Sequence, residues 1–268
     1  MLIDTHAHLN FKAFENNLDE VYKRCEELKM SVINVGAQYE TSKRAVEITK
    51  YKNFYASLGL HPIHVFDEDF VLEDYQKLIT DCVVAIGETG LDYFHSVKSE
   101  ENNKAITQKV IAKQVEVFES HIKLAKDNNL PLILHGRNSK DDFTLQTVYF
   151  DIFKILENHK YLNGVFHCFS GSLMEAKTII DNGMYIGFTA IITYPNAQNL
   201  RDVVNFTPID KILIETDAPY LAPQKYRGKT NEPIYVIEVA RQIAEIKNLS
   251  LDEVVDATWN NAKKLFKL

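Results

Sequence analysis

The chain has 268 residues, 46% of them hydrophobic and 25% charged, with a formal charge of −7 and no long basic run. These values fit an ordinary globular protein, one large α/β barrel or two domains, able to bury a sizeable core, and they exclude bulk electrostatic attraction to nucleic acid, so that phosphate binding falls to a few local Lys and Arg or to metal ions. Cys25, Cys82 and Cys168 show no C-x-x-C spacing, which excludes a complete disulfide framework and a cysteine zinc site. No apolar run nears the roughly 20 residues of a membrane span, so a cytoplasmic location with no membrane partner is expected.

The first element reads LIDTHAHL. In an extended strand residues two apart face the same side, roughly 6.5 to 7 Å from each other, so His6 and His8 point one way. They could share a metal ion, and taken alone they fit two hydrogen-bonded core histidines as well. Residues 17–30 then predict a helix with Leu18, Val21, Tyr22, Cys25 and Leu28 on one face.

Further apolar runs that end in polar residues follow: SVINVGA, FYASLGLHP with His61, and VVAIGETGLD with Glu88. The segment YFHSVKSEENN, from Tyr93 to Asn103, is the most polar connection and is expected to be an exposed loop. Residues 104–127 form a second helical pattern with Val110, Gln114, Val117, Phe118, Ile122 and Ala125 on one face. LPLILHGR brings His135 and Arg137, and NGVFHCFSG brings His167 and Ser170. A capping box at Ser172 and Glu175 starts a helix, and Gly183 suits its C-terminal cap. MYIGFTA and KILIETDAP, with Asp217, complete the series. A second capping box, Ser250 with Glu253, starts a last helix over about 251–266 that is expected to cover the outside.

Eight near-continuous apolar runs alternating with helices are what parallel strands covered on both faces look like. With no linker, low-complexity tract or repeat dividing the chain, residues 1–268 read as a single α/β domain: a (β/α)8 TIM-like barrel with an additional C-terminal helix.

Active sites of such barrels lie where the C-terminal strand ends meet. Those ends carry His6, His8, His61, Glu88, His135, His167 and Asp217. Each alone has an ordinary explanation: His61 before Pro62 as a loop former, Glu88 as an arginine partner, Asp217 as a turn cap. Together they are hard to obtain by packing, since burying several acids and imidazoles without a cation costs several kcal/mol. Nitrogen and carboxylate donors without thiolate favour Zn, Mn, Fe, Co or Mg. His6, His8 and Asp217 make one cage, His135 and His167 another, and Glu88 has two oxygens with which to bridge two divalent ions.

IDTHAHLN, GLHP, GETGLDY, LHGR, FHCFSGS and ETDAPYLAP…YRGKTNEP together resemble the TatD family of metal-dependent deoxyribonucleases, over nearly the whole chain. The resemblance implies a hydrolase that cleaves DNA phosphodiester bonds, from a strand end, with metal-activated water. It implies metal ligands His6, His8, Glu88, His135, His167 and Asp217, with catalytic parts for Glu88, Asp217 and His61. Related barrels bridge their metals with a carboxylated lysine, and Glu88 in GETG favours the TatD branch. The chain departs from the family pattern at GFTAIITYPNA and LHGRNSKDD, both expected near the mouth. The same centre could attack a carbonyl, so an amide or ester hydrolase such as an aminoacyl-tRNA deacylase is the alternative. A non-catalytic metal scaffold is disfavoured, because an open cage makes a poor structural site.

For substrate the candidates are Arg137 and Arg227 on phosphate, with Lys225 and Lys229 beside them, Ser170, and Tyr93, Phe169 or Tyr220 stacking on a base. Asp4 and Glu215 are expected one layer below the ligands, orienting them or pairing with each other, and Asp92 near enough to shape the pocket. His64 and His95 in loops and His121 and His159 in helices are expected to have no catalytic part, and Cys168 to pack under a helix.

Overall fold

Short runs rich in Ile, Val, Leu and Phe form eight strands: β1 (Ile3–Ala7), β2 (Ser31–Val35), β3 (Phe54–Leu58), β4 (Val83–Asp92), β5 (Leu132–Arg137), β6 (Gly164–Phe166), β7 (Tyr185–Phe188) and β8 (Ile212–Ile214). The computed structural model describes residues 1–96, 104–139 and 147–268. Each strand pairs in parallel with the next in sequence, in the order β1 to β8. Just beyond β8 the backbone returns to β1, where Asp217 N–H donates to His6 O (2.9 Å) and His8 N–H to Ala218 O (2.7 Å). These bonds close the ring at the level of the proposed ligands.

The helices are α1 (Leu18–Glu27), α2 (Tyr39–Glu47), α3 (Leu72–Lys77), α4 (Tyr93–Ser96), α5 (Lys104–Asn128), α6 (Val148–Asn158), α7 (Leu173–Asp181), α8 (Gln198–Phe206), α9 (Val236–Lys247) and α10 (Leu251–Phe266). Both capping boxes are present: Ser172 opens α7 and Ser250 opens α10, with Glu175 and Glu253 reaching back. Gly183 sits past the end of α7 at φ +80°, a conformation that costs glycine little. Alternate strand residues such as Val32, Leu132, Leu134 and Ile212 join the helices in the main core.

The C-terminal helix does more than cover the outside. Ala262, Leu265 and Phe266 of α10 share a cluster with Ile3, Val84, Ile133 and Tyr185, residues at or near the starts of their strands, and Trp259 packs on it. This helix therefore plugs the end of the barrel opposite the site, and Asn261 anchors it by donating to the carbonyls of Ile209 and Ile212 (both 2.8 Å). The loop expected from Tyr93 begins instead with the short helix α4, and residues 97–103 of it lie outside the described residues.

His121 illustrates a histidine spent on structure. From α5 its Nδ1 donates to Val117 O (2.8 Å) and its Nε2 accepts from Leu60 N–H (2.9 Å), so the ring is neutral, and burial pushes its pKa down to about 4. The folded value is below the unfolded one, so the contribution is fully present above pH 6.5 and is lost as the pH falls towards 4. That loss is about 3 kcal/mol. Urea titrations at pH 7 and 4.5 should show His121→Gln losing less stability over this interval than the parent, whatever the substitution costs at pH 7. Equal losses would remove His121 from the pH response.

Candidate metal centre

Glu88 reaches the site because β4 runs unusually close to β5. A Cβ on Gly87, at φ +154°, would lie 2.5 Å from Ile133 O, and one on Gly90, at φ +132°, would overlap His135 O. Glycine on both sides of Glu88 lets the two backbones approach, and the strand register shifts at this point. Asp217 and Cys168 are non-glycine residues in the left-handed region, at φ +57° and +44°, both on the rim. Asp217 is held there by its own N–H on His6 O and by Tyr220 N–H on its carbonyl (2.9 Å).

The two oxygens of Glu88 face different partners. Oε2 lies 3.5 Å from His6 Nε2 and 3.8 Å from His8 Nε2. Asp217 Oδ1 stands 3.3 Å from His8 Nε2 and 3.7 Å from His6 Nε2, and these ring nitrogens are 3.2 Å apart. Oε1 lies 2.8 Å from His135 Nδ1, 3.0 Å from His167 Nε2 and 3.2 Å from His61 Nε2. The groups that could hold a cation are His6, His8 and Asp217; His6, Glu88 and His167; and His61, Glu88 and His135.

Partners outside the cluster aim the rings. His8 Nδ1 donates to Val35 O (2.8 Å), and His135 Nε2 to Asp92 Oδ2 (3.0 Å). His167 Nδ1 lies 3.3 Å from Glu215 Oε1, off the line of a good hydrogen bond, while Glu215 also accepts from Cys168 N–H. The unprotonated nitrogens of His8 and His135 therefore turn inward. Glu215 stands beside a proposed ligand, as expected, but leaves His167 Nδ1 without a hydrogen bond. Asp4 instead accepts from the backbone N–H groups of His6 and Thr216 and meets the Thr216 hydroxyl, and burial pushes its carboxyl up to about 8.

Burial opposes ionisation of Glu88, but the imidazoles gathered around it hold its carboxyl well below the usual range. Burial likewise opposes charge on His167, yet Glu88 and Glu215 raise it well above the ordinary imidazole value. A field that favours a proton this strongly also favours a divalent cation. The donor set fits one: convergent imidazole nitrogens and carboxylate oxygens, buried, with no thiolate at bonding distance among the described residues.

Above the cluster opens a cavity of about 640 Å³, whose floor includes His8, His61, Glu88, His135, His167 and Asp217. Arg137, Ser170 and Tyr220 line its walls, with the Arg137 guanidinium 4.0 Å from the centre of the Phe94 ring. Tyr93 is not in the lining; its hydroxyl donates to Asp151 of α6 (2.7 Å). Arg227 stands outside as well, over the Tyr194 ring, with Lys225 near Glu238 and Lys229 over Tyr226. Phe169 is buried against Tyr149. Lys140, Asp141 and Asp142 of the LHGRNSKDD stretch lie outside the described residues.

Several lining residues escaped the sequence reading. Cys168 does not pack under a helix; its left-handed backbone turns it into the cavity, where Thr189 is 3.5 Å from its sulfur. His95 sits on α4 and pairs with Asp92 at 3.0 Å, so it reaches the mouth through the residue that orients His135. His64 and Ile191 also line the cavity, and Phe11 stacks on His8 with ring centres 4.2 Å apart. Phe11 had a signal, three residues after a strand-end ligand. Cys168 and His95 had none.

The sequence profile of the TatD related DNase family matches residues 3–267. The chain belongs to the TatD family. It is 39% identical over 277 residues to a Bacillus subtilis relative described as the uncharacterized metal-dependent hydrolase YabD, covering all of both chains. It is 32% identical to the Escherichia coli metal-dependent hydrolase YcfH, over 100% of this chain and 96% of that one. Among solved structures, the E. coli TatD homologue YjjV superposes with a TM-score of 0.86 at 31% identity, covering 100% and 98% of the two chains. A TatD family hydrolase from Entamoeba histolytica gives 0.81 at 25% identity, covering 99% and 97%.

Proposed function

We propose that this TatD-family protein is a dinuclear, divalent-metal-dependent deoxyribonuclease that hydrolyses phosphodiester bonds from a DNA end. The observation that carries the reading is the divergence of the Glu88 oxygens, Oε2 towards His6 and His8 and Oε1 towards His135 and His167. Glu88 would then be shared between two cations, with His6, His8 and Asp217 holding one and His135 and His167 the other. Two divalent ions held by these residues would supply a water acidic enough to ionise near neutral pH and positive charge to offset the negative charge developing in the reaction.

The chain's own groups do the rest. Asp217 turns Oδ1 to His6 and His8, and among the described residues none pairs with Oδ2, which is free to accept a proton from water. Arg137, exposed at the end of β5, offers a guanidinium to a phosphate oxygen, and Ser170 a hydroxyl. A cavity of 640 Å³ has the size of a small-ligand site, suited to a terminal nucleotide rather than the side of a duplex.

The test is a metal-reconstituted assay on end-labelled single- and double-stranded DNA, RNA and aminoacyl-tRNA. Stepwise loss of nucleotides from DNA, abolished by chelation, is expected. Hydrolysis of the aminoacyl ester with intact DNA would replace this reading by the deacylase alternative.

A further inference from the structure

Neutral imidazole has one N–H and one lone pair, and only the lone pair binds a cation. His8 and His135 each spend their N–H on an acceptor outside the cluster, Val35 O and Asp92 Oδ2, and turn the lone pair inward. His61 is wired the other way. The backbone N–H of Ile63 can only donate, and it points at His61 Nδ1 at 3.1 Å. Nδ1 therefore holds the lone pair and the proton sits on Nε2, the nitrogen that faces Glu88 Oε1 at 3.2 Å and His135 Nδ1 at 3.3 Å.

This wiring is imposed by the backbone. His61 is the N-cap of the turn Pro62–His64, its own N–H is fixed on Ala37 O (2.9 Å), and Pro62 starts the turn that aims Ile63 N–H at the ring. Proximity alone would group His61 with Glu88 and His135 as ligands. The Ile63 hydrogen bond argues against that, because it leaves no lone pair on the inward nitrogen. The side chain nevertheless lines the cavity and is more open to it than Glu88, 11% against 4% exposed.

We propose that His61 is the site's hydrogen-bond donor to substrate rather than a metal ligand: Nε2–H goes to a non-bridging oxygen of the scissile phosphodiester and steadies the charge that develops there as water attacks phosphorus. The inference rests on the phosphodiesterase reading above. It requires no change in the protonation of His61, only the tautomer that Ile63 selects.

The experiment compares His61→Ala, His61→Gln and, as a ligand control, His135→Ala. Bound divalent metal per chain, inhibition by inorganic phosphate, and kcat and KM are measured for each. Both His61 variants should keep the parent's metal content, whereas His135→Ala should lose about one ion. His61→Ala should lower kcat roughly a hundredfold and weaken phosphate inhibition about tenfold, and His61→Gln, whose amide again offers an N–H, should recover part of both. Loss of an ion from both His61 variants would overturn the proposal, as would unchanged phosphate inhibition in His61→Ala. A parent protein that holds its metal but cleaves no phosphodiester would overturn the nuclease reading itself, while the metal and phosphate measurements would still report on His61 separately.

Discussion

Glu88→Ala is expected to empty both cation positions and to lower hydrolysis by more than about a thousandfold, the largest effect of any single substitution in this site. Among the described residues its carboxylate is the only one whose two oxygens face both donor sets, 3.5 Å from His6 Nε2 on one side and 2.8 Å from His135 Nδ1 on the other. Removing it also removes the negative charge that offsets the surrounding imidazoles, so either cation would sit among ring nitrogens with too little compensation. His6→Ala, which touches one donor set directly, should lose mainly one ion. Metal analysis of purified variants checks both statements. A fully loaded Glu88→Ala protein would remove the bridge from the account.

Asp217→Asn should reduce turnover by on the order of a hundredfold or more while leaving the fold intact. The substitution keeps shape and one acceptor oxygen but discards the charge and the group able to take a proton. The backbone is well suited to it: residue 217 lies at φ +57°, where asparagine is tolerated better than most residues, and its N–H bond to His6 O and the Tyr220 N–H bond to its carbonyl do not involve the side chain. Circular dichroism and melting temperature should therefore match the parent while kcat falls at saturating metal. Near-parental turnover would take the proton-accepting part away from Asp217.

The barrel and the seven strand-end residues were legible because both are local properties of the sequence. A parallel strand covered on both faces announces itself as an apolar run, and its C-terminal end is the site face, so His6, Glu88 and His135 could be located without knowing how the strands meet. Residues whose surroundings come from elsewhere in the chain were not legible. Tyr93 is taken up by Asp151, a residue 58 positions away, and Arg227 lies over Tyr194 instead of in the cavity. The direction of Cys168 depends on one left-handed backbone angle, and the plugging position of α10 depends on where the strands begin in space. For His61 the sequence supplied the residue and its proline, but the tautomer needed the turn that sets Ile63 N–H against the ring.

The central claim is two ions sharing one carboxylate. It is tested most directly by loading the protein with manganese(II) and recording its electron paramagnetic resonance spectrum at increasing metal. The account predicts two ions per chain at saturation, with an exchange-coupled spectrum that Glu88→Ala abolishes. A single ion per chain at saturation, with the spectrum of isolated manganese, would contradict it.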